Sequence, residues 1–407
     1  MESVKASVPV PRAVFSFLVA KIATMVGFQI LAVAVGWRMY EITGKALYLG
    51  FVGLAQFLPM LALTFPAGHA ADRYDRKRVA GICQLLECLA AAALVAADLG
   101  GRLDSAGILV AVAVIGAARS FENPAMQSLL PALVPKAEFP RTAALSASAT
   151  EIASIAGPAI GGVVYALSPA AAIAVASALY LLAPAALSTL RVDARQSSGR
   201  EPLSFRTFFA GLDFIRRRPA ILGAISLDLF AVLLGGATAL LPIYAKDILR
   251  VGSTGLGALR AAPAIGALAM SLLLAKRPLR RRVGRTMFSA VAVFGLSTIA
   301  FALSRNFVLS LAALALLGGS DVVSVVVRQS LVQLWTPDGM RGRVSAVNSL
   351  FIGTSNQLGE FESGITAAWL GTVPAALIGG LGTLAVVALW IKLFPSLASV
   401  DAMEGAA

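Results

Sequence analysis

Leu61-Ala62-Leu63-Thr64-Phe65-Pro66-Ala67-Gly68-His69-Ala70-Ala71-Asp72-Arg73-Tyr74-Asp75-Arg76-Lys77-Arg78-Val79-Ala80-Gly81-Ile82 holds the decisive pattern in one stretch. An apolar run ends, a short cluster of charge follows, and a second apolar run begins. The first run reaches back to Leu47 and the second on to Ala97. Each is close to the roughly 20 residues that carry a helix across a bilayer core. Two membrane spans joined by a tight basic turn are the unit from which the rest of the chain is built.

The same alternation recurs along all 407 residues, of which 58% are apolar and 14% charged, with a mean hydropathy of +0.82. A soluble chain carries about a quarter charged residues, so this composition excludes a soluble enzyme and predicts an all-α, multi-pass membrane protein. Twelve segments qualify as spans. They are 14–39, 47–69, 79–97, 106–126, 143–167 and 170–190 in the first half, and 221–245, 256–275, 286–303, 308–334, 344–369 and 374–394 in the second.

An even number of spans leaves both termini on one side, and the basic residues say which. Of the 34 Lys and Arg, 24 fall on the side of the termini and six on the other, with Lys21, Arg119, Arg260 and Arg328 inside spans. Cytoplasmic loops carry the excess of Lys and Arg, so both termini are expected in the cytoplasm. The formal net charge of +13 is thereby a topology signal, and no nucleic-acid partner is expected.

The longest polar stretch divides the chain into an N-terminal six-helix bundle (1–190), a linker (191–218) and a C-terminal six-helix bundle (219–407). Gln196-Ser197-Ser198-Gly199 has a flexible composition. After it, Phe205, Phe208, Phe209, Leu212 and Ile215 recur at helical spacing beside Arg206 and Arg216 to Arg218. That pattern predicts an amphipathic helix lying at the cytoplasmic interface. The halves match each other at an offset of 202 residues: Gln127-Ser128-Leu129-Leu130 with Gln329-Ser330-Leu331-Val332, Arg141 with Arg343, and Gly157 and Gly162 with Gly359 and Gly364. Duplicated halves imply a substrate site between them near the midplane, opened alternately to either side.

Gly68, Asp72, Arg73 and the basic cluster Arg76-Lys77-Arg78 resemble the loop signature of the major facilitator superfamily, with Asp75 in place of its usual Gly. Gly157-Pro158-Ala159-Ile160-Gly161-Gly162 resembles the end of the antiporter signature. Asn356-Gln357-Leu358-Gly359-Glu360-Phe361-Glu362-Ser363-Gly364 is similar to the eleventh span of the branch that includes enterobactin exporters and transmembrane secretion effectors. The resemblance covers the whole chain. It implies two pseudo-symmetric six-helix bundles and secondary transport rather than enzymatic activity. It also implies that Asp72 grips the start of the eleventh span near Arg341 and latches one conformation. From the residues alone, Asp72 reads equally as a helix cap, and the glycines of the fifth span as close packing.

Ionisable groups at membrane depth are expensive and each is a functional candidate. Arg119 and Glu122 lie three apart on one helical face and can neutralise each other; Arg119 also stands where the superfamily carries a fourth-span Arg. In this superfamily spans one, four, seven and ten line the cavity, which draws Lys21, Gln29, Arg119, Glu122, Asp228, Asp321 and Arg328 into one candidate network for substrate and protons. Asp228 and Glu122 are the first choices as proton carriers. Glu87 and Glu151 read as interhelical hydrogen-bonding residues, and one of Glu360 and Glu362 as a partner for Arg260 or Lys21. Lys21, Arg119 and Arg328 hint at an anionic or zwitterionic amphiphile.

The lone His69, and Cys83 and Cys88 on different helix faces, offer no metal-site spacing, and there is no phosphate-binding Gly-rich loop, so no metal or cofactor is expected. The expectation is a monomeric, proton-coupled exporter of an amphipathic small molecule, a drug or siderophore, in a bacterial-type inner membrane. The alternative is a proton-coupled importer of a small metabolite.

Overall fold

A computed structural model describes residues 12–135, 137–190, 205–279 and 281–402. Among these, every regular element is helical. The first six spans are α1 (Arg12–Thr43), α2 (Ala46–Arg73), α3 (Arg76–Leu99), α4 (Ser105–Leu133), α5 (Phe139–Leu167) and α6 (Pro169–Ser188). Then come the short α7 (Phe205–Arg216) and the seventh span, which opens with α8 (Pro219–Leu234). This span is broken: Gly235 and Gly236 end α8, and the chain continues through a tight 3-10 turn (Ala237–Leu240), one turn of α9 (Leu241–Ile243) and a wide π turn (Tyr244–Ile248). The remaining elements are α10 (Gly252–Lys276), α11 (Val283–Leu303), α12 (Phe307–Leu334), α13 (Asp338–Leu370), α14 (Thr372–Leu393) and the terminal α15 (Pro395–Ala398).

Eleven of the described helical segments are long and apolar enough to cross a membrane. The twelfth place is taken by α13, whose 33 residues include Arg341, Arg343, Glu360 and Glu362. It is less apolar because its length runs between α2 of one half and α8 of the other. Capping side chains set the turns. Asp104 receives the Gly107 N–H at 2.8 Å to start α4, and Asn306 receives that of Leu309 at 3.1 Å to start α12. At the basic turn the cap is Asp75, which accepts from the Lys77 and Arg78 N–H groups at 2.9 and 3.4 Å. Asp72 is not a cap for α3, because α2 continues through Arg73 and puts Asp72 in its last turn.

Within the N-terminal half α1 packs on α5 and α6, α3 on α4 and α6, and α2 on α4; within the C-terminal half α10 and α11 flank α12, and α14 lies against α8 and α11. The linker segment 191–204 and the side chains of Phe205 and Arg206 lie outside the described residues. The apolar side of α7 is covered by protein rather than turned wholly to the membrane. Ile215 is fully buried with Val344 and Val347 of α13 and Ile221 of α8, Phe208 meets Phe65 of α2 edge-on at 5.9 Å, and Phe209 stays exposed.

The halves touch along two seams, α5 with α10 and α2 with α13, and both depend on glycine. A Cβ on Gly162 would lie 2.5 Å from the Ser253 carbonyl oxygen and 3.0 Å from the Gly257 Cα. A Cβ on Gly364 would lie 2.5 Å from the Gly50 Cα. Gly162 and Gly364 are 202 residues apart, so the repeat seen in the sequence is a repeat of seams. Both seams sit in the membrane half away from the Arg73–Arg78 turn; that turn marks the basic end, and the other is the far end. There the Tyr40 hydroxyl also donates to the Asp247 carboxylate across the halves.

Overpacking a tight helix contact costs about 1–3 kcal/mol. Gly162→Val and Gly364→Val are therefore expected to lower the thermal unfolding midpoint in detergent. Gly339→Ala, where nothing lies within 4 Å of the added Cβ, is expected to leave it unchanged.

Candidate functional site

Between the halves lies a cavity of about 510 Å³, within the roughly 300–1,000 Å³ of small-molecule sites. Its apolar wall is Phe28 of α1, Val232 of α8, Phe294 of α11, and Leu314 and Leu317 of α12. Its polar wall is Gln56 of α2, Arg119, Ser120 and Asn123 of α4, Asp321 of α12, and Asn356, Gln357 and Glu360 of α13. The break in the seventh span supplies Gly235, Gly236, Ala237 and Thr238. Non-helical backbone at membrane depth is tolerated where it lines such a cavity.

The seven candidates do not form one network. Arg119 and Asp321 are the two that line the cavity. They are 202 residues apart, so the pseudo-twofold sets opposite charges on opposing walls. The Arg119 guanidinium stacks 3.9 Å above the Phe28 ring and stands 4.0 Å from the Glu122 carboxylate. Asp321 has no ion pair among the described residues. Glu360 faces Arg260 of α10.

Glu122 is buried behind Arg119 and accepts from the Gln84 amide at 2.9 Å; the same amide donates to Thr24 at 3.2 Å. Lys21 is turned away and donates to the Ser146 hydroxyl of α5 at 2.7 Å. Gln29 packs against Gly157, where a Cβ would lie 2.6 Å from the Gln29 Cβ. Asp228 and Arg328, which are nearly inaccessible at 5% and 2%, are bound to each other in an ion pair between α8 and α12. The first-choice proton carrier Asp228 is thus committed to a guanidinium. A void of about 10 Å³ beside Asp228, lined also by Ser320, Asp321 and Ser324, is the size of one water and shares Asp321 with the cavity. The cationic hint from Lys21 and Arg328 disappears, since both are engaged elsewhere, and the cavity's charge is Arg119 against Asp321 and Glu360.

The antiporter-like segment splits between two contacts. Gly157 and Gly161 let α1 approach, with Ile30 Cα 3.0 Å from the Cβ position of Gly161. Pro158 and Gly162 meet α10, the Pro158 carbonyl oxygen lying 2.5 Å from the Cβ position of Gly257. At the basic end, Gly68 and Arg73 sit in the last turns of α2, Arg76 donates to the Ser128 carbonyl at 3.3 Å, and Arg341 in the first turn of α13 donates to the Gln333 carbonyl at 2.8 Å. The Asp72 side chain lies outside the described residues. Gln56 and the Gly235–Thr238 break line the cavity without having stood among the candidates. A glycine pair in mid-span was the available signal for the break.

Two helical halves around a charged central cavity define a secondary transporter of the major facilitator class, a multi-pass membrane protein and not an enzyme. The chain belongs to the transmembrane secretion effector family, whose model matches residues 5–406. It is 28% identical over 399 residues to the multidrug efflux pump Tap of Mycolicibacterium fortuitum, covering 94% of this chain and 96% of that protein. It is 26% identical over 408 residues to the enterobactin exporter EntS of Escherichia coli (strain HS), covering 96% and 92%. Among solved structures, a bacterial homolog of the human lysosomal transporter Spinster, in an inward-facing and unoccupied conformation, superposes with a TM-score of 0.72 at 12% identity, over 96% of this chain and 97% of that one.

Removing one partner of a buried ion pair leaves an uncompensated charge and costs about 3–5 kcal/mol, whereas removing both is much cheaper. Asp228→Asn and Arg328→Gln are each expected to lower the thermal midpoint markedly, and the double variant to recover most of the loss. Additive losses in the double variant would show that the pair contributes no coupling.

Proposed function

We propose that this protein is a proton-driven exporter of amphipathic small molecules, a drug or siderophore class of substrate, working by alternating access in a bacterial cytoplasmic membrane. The observation that carries this reading is the cavity between the halves with Asp321 in its wall, a carboxylate with no ion pair among the described residues. The distribution of Lys and Arg assigns the basic end and both termini to the cytoplasm. Seams at the far end then leave the cavity as the loading chamber on the cytoplasmic side. Its mixed lining, Phe28, Phe294 and Leu317 together with Gln56, Asn356 and Gln357, suits an amphipathic molecule. The names of Tap and EntS, both exporters, support the direction.

In this reading Asp321 gives up its proton to the cytoplasm as substrate enters, and takes one from the outside after the substrate has left. Residues 1–190 and 219–407 turn against each other about the glycine seams, with 191–218 as the tether. Gly68, Asp72, Arg73, Arg76 and Arg341 form the latch that holds the opposite conformation at the basic end. The protein acts as a monomer within the bilayer.

Purified protein in liposomes under an imposed pH gradient tests this with a panel of lipophilic drugs and catecholate siderophores. Substrate movement opposite to proton flux, abolished by Asp321→Asn in protein that still binds substrate, is the expected result. Movement in the same direction as protons would make the protein an importer. Unchanged coupling in the variant would remove Asp321 from the mechanism.

A further inference from the structure

Glu87, on α3, is fully buried in the N-terminal bundle, and neither of its carboxyl oxygens has a hydrogen-bond partner among the described residues. It faces Glu122 and Arg119. Around these three groups the charged and titratable neighbours are Cys83 from α3 and Tyr180 from α6. The groups nearby from α1 are Thr24 and Phe28, which do not titrate. The Tyr180 hydroxyl, also fully buried, faces Glu87 and has no partner among the described residues, and the same holds for the Gln84 carbonyl oxygen.

Two ionised carboxylates against one guanidinium would leave a net negative charge inside a membrane-spanning bundle, a state that costs several kcal/mol or more. Two neighbouring carboxyls, brought together where Gln84, one turn from Glu87 on α3, donates to Glu122 at 2.9 Å, avoid this by sharing one proton, because like charges so close do not both ionise. The shared proton also supplies the missing donor: the O–H of one carboxyl donates to an oxygen of the other. One proton therefore neutralises the cluster and satisfies an acceptor that nothing else reaches.

We infer that Glu87 and Glu122 form a proton-binding site inside the N-terminal bundle, holding one proton between their carboxyl groups in this conformation, with Arg119 as its link to the cavity. Arg119 is the one member of the cluster that lines the cavity. An anionic group that draws the guanidinium away from Glu122 raises the proton occupancy of the pair, and by linkage the protonated pair frees Arg119 for that anion. This site rests on the proton-coupled reading only for its use in transport; its occupancy is a property of the resting protein.

Infrared spectroscopy of the protein in lipid nanodiscs at neutral pH tests it, comparing the parent with Glu87→Gln and Glu122→Gln. Each variant keeps side-chain volume and leaves a single carboxyl against Arg119, so no proton is left to be shared. Both variants are expected to lose the same protonated-carboxyl C=O stretching intensity from the parent spectrum. Unchanged intensity in either folded variant overturns the shared proton. Should one substitution lead to misfolded protein, Glu87→Asp and Glu122→Asp take its place, and a shift of one protonated-carboxyl band in both is expected, with no shift in either overturning the inference. Failure of proton-coupled transport leaves this readout intact, so the two claims fail separately.

Discussion

A charge held at membrane depth must be paired, wetted or neutralised by a proton, and the interior of this protein is organised by which of these each charge receives. Asp228 and Arg328 are paired and buried. Arg119, Asp321 and Glu360 reach the central cavity, where water or substrate meets them. Glu87 and Glu122 lie behind the cavity wall with the single guanidinium of Arg119 to balance the two. Pairing makes structure, wetting makes a binding site, and shared protonation makes a store whose filling depends on the cavity.

The second constraint is mechanical. Two bundles able to rock must meet through contacts that are tight yet free of interlocking side chains, and glycine seams provide this. Gly162 against Gly257 and Gly50 against Gly364 bring backbones together at the far end, and Tyr40 with Asp247 adds a polar tie there. The cavity lies between these seams and the basic turns. Its position follows from where the small residues are placed, and its chemistry from the charges on α4 and α12.

The architecture was legible in the chain because span length and basic loops are one-dimensional signals. The offset of 202 residues anticipated the paired seams, and Arg119 and Asp321 were recognised as candidates. What the sequence did not reveal was orientation. Nothing in the α1 sequence says which neighbour Lys21 faces, and only the packing of α1 on α5 shows it bound to Ser146. Asp228 and Arg328 are a hundred residues apart, so their pairing is a property of how α8 meets α12. Asp72 was placed at the start of a helix, whereas the preceding one continues past it and Asp75 does the capping. Glu87 read as an ordinary hydrogen-bonding residue because nothing local shows that both its oxygens lack donors.

The central claim is that protonation of Asp321 selects between the two openings of the cavity, and spin-label distances test it most directly. Labels at Lys45 and Arg250 report on the far end, and labels at Arg141 and Lys276 on the basic end, all exposed positions. On acidification the parent is expected to shift toward shorter far-end and longer basic-end distances, as the protonated carrier returns to its cytoplasm-open form, while Asp321→Asn shows that shifted distribution at every pH. Parent and variant responding identically to pH would contradict the account.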